Sequence, residues 1–149
     1  MGESKQTKHI ISISLGSSKR DASAMLELAG QKVHIERRGT DGDFNKARLL
    51  MEQWDGKVDA MGLGGTDLYV YAGKERYTFR ESAHLIANVH HTPVLDGSGL
   101  KNSLERKVIH DLAAGHELPI DGSKVLLVCA VDRFGMAEAL LETGAKAVS

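Results

Sequence analysis

The stretch that most constrains the fold runs from Asp96 to Val148. In order, it reads as a glycine-rich turn, a helix, a buried strand, a second glycine-containing turn, a helix and another strand. Leu100, Leu104, Val108 and Leu112 recur at helical spacing and mark a buried face, with Lys101, Glu105 and Arg106 on the outer one. The apolar run Val125 to Val131 reads as the buried strand, and Met136 to Thr143, stopped by Gly144, as the second helix. This order is the opening of a nucleotide-binding type of α/β unit. The expected fold class is therefore α/β, a Rossmann-like three-layer sheet with an incomplete second nucleotide-binding-type half.

The preceding residues add a sheet and two hairpins. Ile10, Ile11, Ile13 and Leu15 form a β-branched run ending at Gly16, which predicts a buried first strand. Residues 22–28 and 32–38 alternate around Ala29-Gly30-Gln31 and predict a hairpin, although Ala, Met, Leu and Glu leave a helix open over 22–28. Phe44, Ala47, Met51 and Trp54 share a helical face, with Asp41 or Asp43 placed to cap it. Residues 58–63 suit a strand, 68–71 and 76–79 a second hairpin around Ala72-Gly73-Lys74, 81–89 a short helix and 93–96 a short strand. Pro119, Asp121 and Gly122 cluster as turn formers, so the expected division is an α/β domain over 1–118 and the start of a Rossmann-like unit over 119–149.

Composition excludes several classes. Nineteen Lys and Arg against twenty Asp and Glu leave no electrostatic footprint for nucleic acid or an anionic membrane. No apolar run approaches the ~20 residues that span a bilayer. The single cysteine, Cys129, precludes an internal disulfide and points to the cytoplasm. It lies in the apolar run, where a packed thiol is expected rather than a nucleophile. The seven histidines show no ligand spacing such as HExxH, so no metal is expected. The expected partner is a small anionic molecule, and a homo-oligomer is possible.

Glycine-rich turns follow several strands: Gly16-Ser17-Ser18-Lys19-Arg20, Gly39-Thr40-Asp41-Gly42-Asp43, Gly62-Leu63-Gly64-Gly65-Thr66-Asp67, Asp96-Gly97-Ser98-Gly99 and Asp132-Arg133-Phe134-Gly135. Open α/β sheets bind ligands where such turns gather, because backbone N–H groups are exposed there. Ser17, Ser18, Lys19 and Arg20 offer hydroxyls and cations directly after a strand and form the best anion candidate. Thr40, Asp41, Asp67 and Ser98 complete the expected substrate side. The strand that follows Gly62-Leu63-Gly64-Gly65 makes those glycines a tight turn rather than a phosphate loop, which requires a helix amino end.

Asp96, Gly97 and Gly99 match an Asn-Thr-Asp-Gly-x-Gly turn, and Lys124, Val125, Leu126 and Val128 match a Gly-Lys-x-Val-Leu-Val strand. On these residues the chain resembles the shikimate/quinate 5-dehydrogenase family, and its loop sequences look like those of bacterial proteins carried under the name quinate 5-dehydrogenase. The resemblance implies NAD(P)-dependent oxidation of a cyclic polyol acid such as quinate or shikimate. Asp96 would be the catalytic carboxylate. It would act with a lysine for which Lys101, Lys74 and Lys19 are candidates, Lys101 being the one assigned. Asp132, Arg133, Phe134 and Gly135 would occupy the cofactor position, for NAD or NADP. There the family's Gly-Ala-Gly-Gly turn is replaced by Cys129-Ala130-Val131-Asp132-Arg133-Phe134, with only Gly135 remaining. The same likeness implies an amino-terminal portion of a longer protein. The altered turn supports an alternative, a non-catalytic α/β module that binds a small anion or nucleotide through its glycine turns.

Overall fold

Ile11 and Ile13 have no exposed surface, and the alternation that buries them defines the central strand β1 (Lys8–Ser14). In the computed structural model, which describes residues 6–149, β1 lies between β3 (Gln31–Gly39) and β4 (Ala60–Gly64), parallel to both. The antiparallel strand β2 (Ala22–Leu28) forms one edge and β7 (Val94–Leu95) the other, giving the order β2-β3-β1-β4-β7. The first hairpin is thus a hairpin and residues 22–28 are a strand. Ala29 and Gly30 both take positive φ, 49° and 74°, as a tight two-residue hairpin turn requires.

This sheet belongs to the first of two units, made of the described residues up to Leu68 together with Phe79–Asp96. Helix α1 (Phe44–Trp54) begins where the Asp43 carboxylate accepts from Lys46 N at 2.9 Å, a standard amino-terminal cap. It buries Ala47 and Met51 against Ile11, Ile13, Met61 and Leu63, and the short helix α2 (Arg80–Leu85) adds Leu85 to the same cluster. Both helices therefore cover one face of the sheet. The crossovers from β3 to β4 and from β4 to β7 advance in the same direction across the sheet, and the right-handed sense that such connections favour lands both on the same side. The step from β1 to β3 is made by β2, a strand of the sheet itself, so it adds no helix to the other face.

The second unit comprises Tyr69–Thr78 and Gly97–Ser149. It contains the antiparallel hairpin β5 (Tyr69–Ala72) and β6 (Glu75–Thr78), helices α3 (Ser98–Asn102), α4 (Leu104–Ala114) and α5 (Phe134–Glu142), and the parallel pair β8 (Lys124–Val125) and β9 (Ala147–Val148). Its core is Ile109, Ile120, Ala139, Leu140 and Ala145. Ile120 packs with Ile109, so the expected boundary at 118/119 falls inside this unit and the division lies at Asp96–Gly97 instead.

Four further expectations are corrected here. The single helix from Leu100 is two, broken at Ser103, whose hydroxyl donates to Gly99 O at 2.7 Å and competes with the helical ladder. Its faces are also exchanged. Leu100, Leu104 and Val108 are exposed, while Lys101, Glu105 and Arg106 are half-buried in ion pairs with Asp132, Arg133 and Glu138. The run Val125 to Val131 is not a buried strand: only Lys124 and Val125 join a ladder, and Leu126, Val128 and Val131 are exposed. An apolar strand is buried when sheet neighbours and covering layers surround it, and this sheet has two strands of two residues each. Cys129 is accordingly exposed in a turn with φ 64°, not a packed core thiol.

Candidate anion site at the carboxyl edge of the sheet

Strands β1, β3 and β4 end side by side, and their following turns are bound into one platform. Leu15 N donates to Gly64 O at 2.9 Å, Thr40 N to Ser14 O at 2.8 Å, Asp41 N to Gly16 O at 3.1 Å and Gly42 N to Leu15 O at 2.8 Å. The approach is close enough that a Cβ on Gly39 would stand 2.5 Å from Ser18 N, and one on Gly65 3.1 Å from Gly16 N. Glycine is needed at both places for close approach of backbone. Gly16, Gly39 and Gly65 thus gather at one edge. Gly97 begins the second unit, where its φ of 85° serves the turn into α3.

Carboxylates organise the turns. Asp41 accepts from Ser18 N at 2.8 Å and Ser18 Oγ at 2.7 Å. The Ser18 hydroxyl, followed by the Ser18 N–H, holds the Asp41 carboxyl below the ordinary carboxylate range. Asp21 accepts from Gly39 N at 2.5 Å and from Arg37 Nη1 at 3.0 Å, and Arg37 Nη1 also donates to Ser17 O at 3.0 Å. Ser17 Oγ accepts from Lys19 N at 3.2 Å and caps the single 3-10 turn Ser18–Arg20. Thr40 is buried, its hydroxyl donating to Ser14 O, so it shapes the platform rather than facing a ligand.

The distinctive feature is the pair of guanidinium groups above Gly16. Arg20 Nη2 and Arg37 Nη2 lie 2.5 and 3.0 Å from the point where a Cβ on Gly16 would stand, with Ser14 Oγ at 3.2 Å. Arg37 Nη2 is buried and makes no hydrogen bond among the described residues. Two like charges converging over bare backbone, one with an unused buried N–H donor, form an arrangement that an oxyanion completes. Of the residues expected here, Ser17, Ser18, Lys19, Arg20, Thr40 and Asp41 come together. Arg37 was not anticipated. Its signal is alternation, which places Arg37 on the same face of β3 as Gly39 at the strand's carboxyl end.

The other expected residues lie elsewhere. Asp67 lines a shallow cleft with Thr66, Phe79, Arg80 and Ser82. Asp96 Oδ2 accepts from Leu68 N at 2.5 Å at the end of the first unit. Ser98 is buried at the start of α3, and Lys101 Nζ donates to Asp132 at 2.6 Å within the second unit. Arg133 is paired with Glu105, which holds the guanidinium still more firmly charged. A Cβ on Gly135 would stand 2.7 Å from Asn102 Oδ1 and 3.2 Å from Asn102 Cα, so this glycine admits the α3 backbone. A dinucleotide pyrophosphate needs bare backbone at such a turn, and Asp132, Arg133, Phe134 and Gly135 do not fit one.

Comparison with known families divides the chain near Asp96–Gly97, as the structure does apart from the hairpin β5–β6. Residues 9–96 match the family described as Domain of unknown function (DUF8753). The chain belongs to this family. Residues 99–149 match a second, Domain of unknown function (DUF8754). The DUF8753 segment carries the five-stranded sheet, all but Lys8 at the start of β1, and the guanidinium pair, while its hairpin β5–β6 packs as part of the unit that holds the DUF8754 residues. No curated protein and no solved structure matches the chain. No helix among the described residues is long and apolar enough to cross a membrane.

Proposed function

We propose that the DUF8753 unit is a binding module for a small organic or phosphate oxyanion, held at the carboxyl edge of its sheet by Arg37 and Arg20. The observation that carries this reading is the buried, unused Arg37 Nη2 beside Arg20 Nη2 over Gly16. Arg37 is pre-aimed by Asp21 and Ser17 O, so little ordering accompanies ligand uptake. Lys19, exposed on the same turn, adds a third cation at the rim. A cyclic polyol acid such as quinate or shikimate presents a carboxylate of the right chemistry, so the dehydrogenase resemblance and the binding reading meet in this ligand class. Within that resemblance, a Rossmann-like arrangement and nicotinamide-dependent turnover through Asp96, which is held by Leu68 N apart from the guanidinium pair, would be additions to anion binding.

Calorimetric titration of the chain with phosphate, quinate, shikimate, NAD and NADP tests the reading. A charge-assisted hydrogen bond contributes ~1.5–3 kcal/mol, so Arg20→Gln and Arg37→Lys should each weaken anion binding roughly ten- to hundredfold. Absence of binding by every anion, or unchanged affinity in both variants, would refute it. Reduction of NAD or NADP in the presence of quinate would establish the dehydrogenase in place of the plain binding module.

A further inference from the structure

At the other end of the parallel strands, the sheet brings together three side chains that are scattered in sequence. His9 stands opposite His34 in the β1–β3 register, and Glu36 lies two residues further along β3 on the same face. One donor atom from each lies within 4.8 Å of the other two. His9 Nε2 is 2.7 Å from Glu36 Oε1, and the imidazole rings of His9 and His34 stack with centroids 4.8 Å apart.

We propose that His9, His34 and Glu36 form a three-ligand site for a divalent transition-metal ion of the zinc class, leaving a coordination position for solvent. Two imidazoles and one carboxylate are a donor set that such ions take up, with bonds of ~2.0–2.2 Å. Donors within 4.8 Å reach that geometry by side-chain torsions alone, because the three backbones are already fixed by strand pairing. The partners that orient the ligands are also present. Arg38 Nη2 donates to Glu36 Oε2 at 2.5 Å and leaves Oε1 facing His9. Ser23 Oγ lies 2.7 Å from His34 Nε2 and sets that ring's plane. Trp54 meets His9 edge-on with centroids 5.5 Å apart and forms an apolar wall. Glu36 is buried among these groups while His9 and His34 are half-buried, so the site is sheltered yet open to entry.

The test is titration of the chelator-treated full chain with Co²⁺, read by visible absorption, and with Zn²⁺, read by calorimetry and by the midpoint of thermal unfolding. The expected result is one equivalent bound, visible cobalt bands from imidazole and carboxylate coordination, and a raised midpoint. His34→Gln and Glu36→Gln should each weaken binding at least tenfold and abolish the midpoint rise, whereas His84→Gln, at an exposed position, should change neither. Circular dichroism reports whether each variant folds. If Glu36→Gln does not fold, His34→Gln, at the less buried position, decides alone. No binding below millimolar metal in the wild type, or wild-type affinity in a folded His34→Gln protein, would overturn the site.

Discussion

Substituting Gly39 by alanine separates crowding from backbone conformation at the proposed anion site. Gly39 does not have positive φ, so alanine is compatible with its backbone and the whole cost is steric. The new Cβ would stand 2.5 Å from Ser18 N and 2.6 Å from Ser17 C and O. Ordinary contact is about 3.5 Å or more, so the Ser17–Ser18 backbone must retreat by roughly 1 Å. That backbone is held by Ser18 N to Asp41 at 2.8 Å and by Arg37 Nη1 to Ser17 O at 3.0 Å, so retreat moves the Arg37 guanidinium of the proposed site. Overpacking of this kind costs ~1–3 kcal/mol. Gly42→Ala is the matched control: its φ is 85° and nothing lies within 4 Å of its Cβ position, so it loses ~1–2 kcal/mol from backbone conformation alone. The two variants should show comparable losses in thermal denaturation but differ in calorimetric titration with phosphate or quinate, where only Gly39→Ala weakens binding. Wild-type stability within ~0.5 kcal/mol together with wild-type affinity in Gly39→Ala would refute the close approach on which the site is built.

Met51→Ala removes a fully buried side chain from the α1 face of the sheet and should cost ~2–5 kcal/mol, measured by denaturant unfolding; a loss below ~1 kcal/mol would mean the cluster around Ile11 and Met61 is loosely packed. Asp55 accepts N–H donors from His90, His91 and Thr92, and the first of these leads in lowering its carboxyl from 3.8 to about 2. Because the folded value is depressed, its stabilisation is fully present above pH 3.8 and is lost as pH falls through about 2. The midpoint difference between wild type and Asp55→Asn should therefore shrink across that window in thermal melts, and a difference that stays constant from neutral pH to pH 2 would count against the three-donor nest.

What was legible in the sequence is what depends on neighbours along the chain. Alternation at Ile11 and Ile13 places the central strand, Asp43 before Phe44 starts α1, and Ala29-Gly30 and the turn at Gly73 close their hairpins. Each is decided within a few residues by backbone geometry. The failures depend on partners distant in sequence. Leu100, Leu104 and Val108 have the spacing of a buried helix face, but ion pairs from Lys101, Glu105 and Arg106 to Asp132, Arg133 and Glu138 turn the charged face toward α5. Val125 to Val131 has the composition of a core strand without sheet neighbours along most of its length.

The two proposed sites follow the same logic from opposite sides. The anion turns were visible because glycine, serine and cations sit together after a strand, yet Arg37 was not, since it reaches Gly16 only through the parallel pairing of β1 with β3. His9, His34 and Glu36 were invisible for the same reason: no spacing within one segment joins position 9 to position 34, whereas the register that sets His9 opposite His34 does so at once. A single pairing therefore underlies both proposed sites. It brings donors for a cation together near the start of β1 and guanidinium groups for an anion just beyond its end. A change that slipped β1 by one residue against β3 would turn its side chains to the opposite face and abolish both sites together.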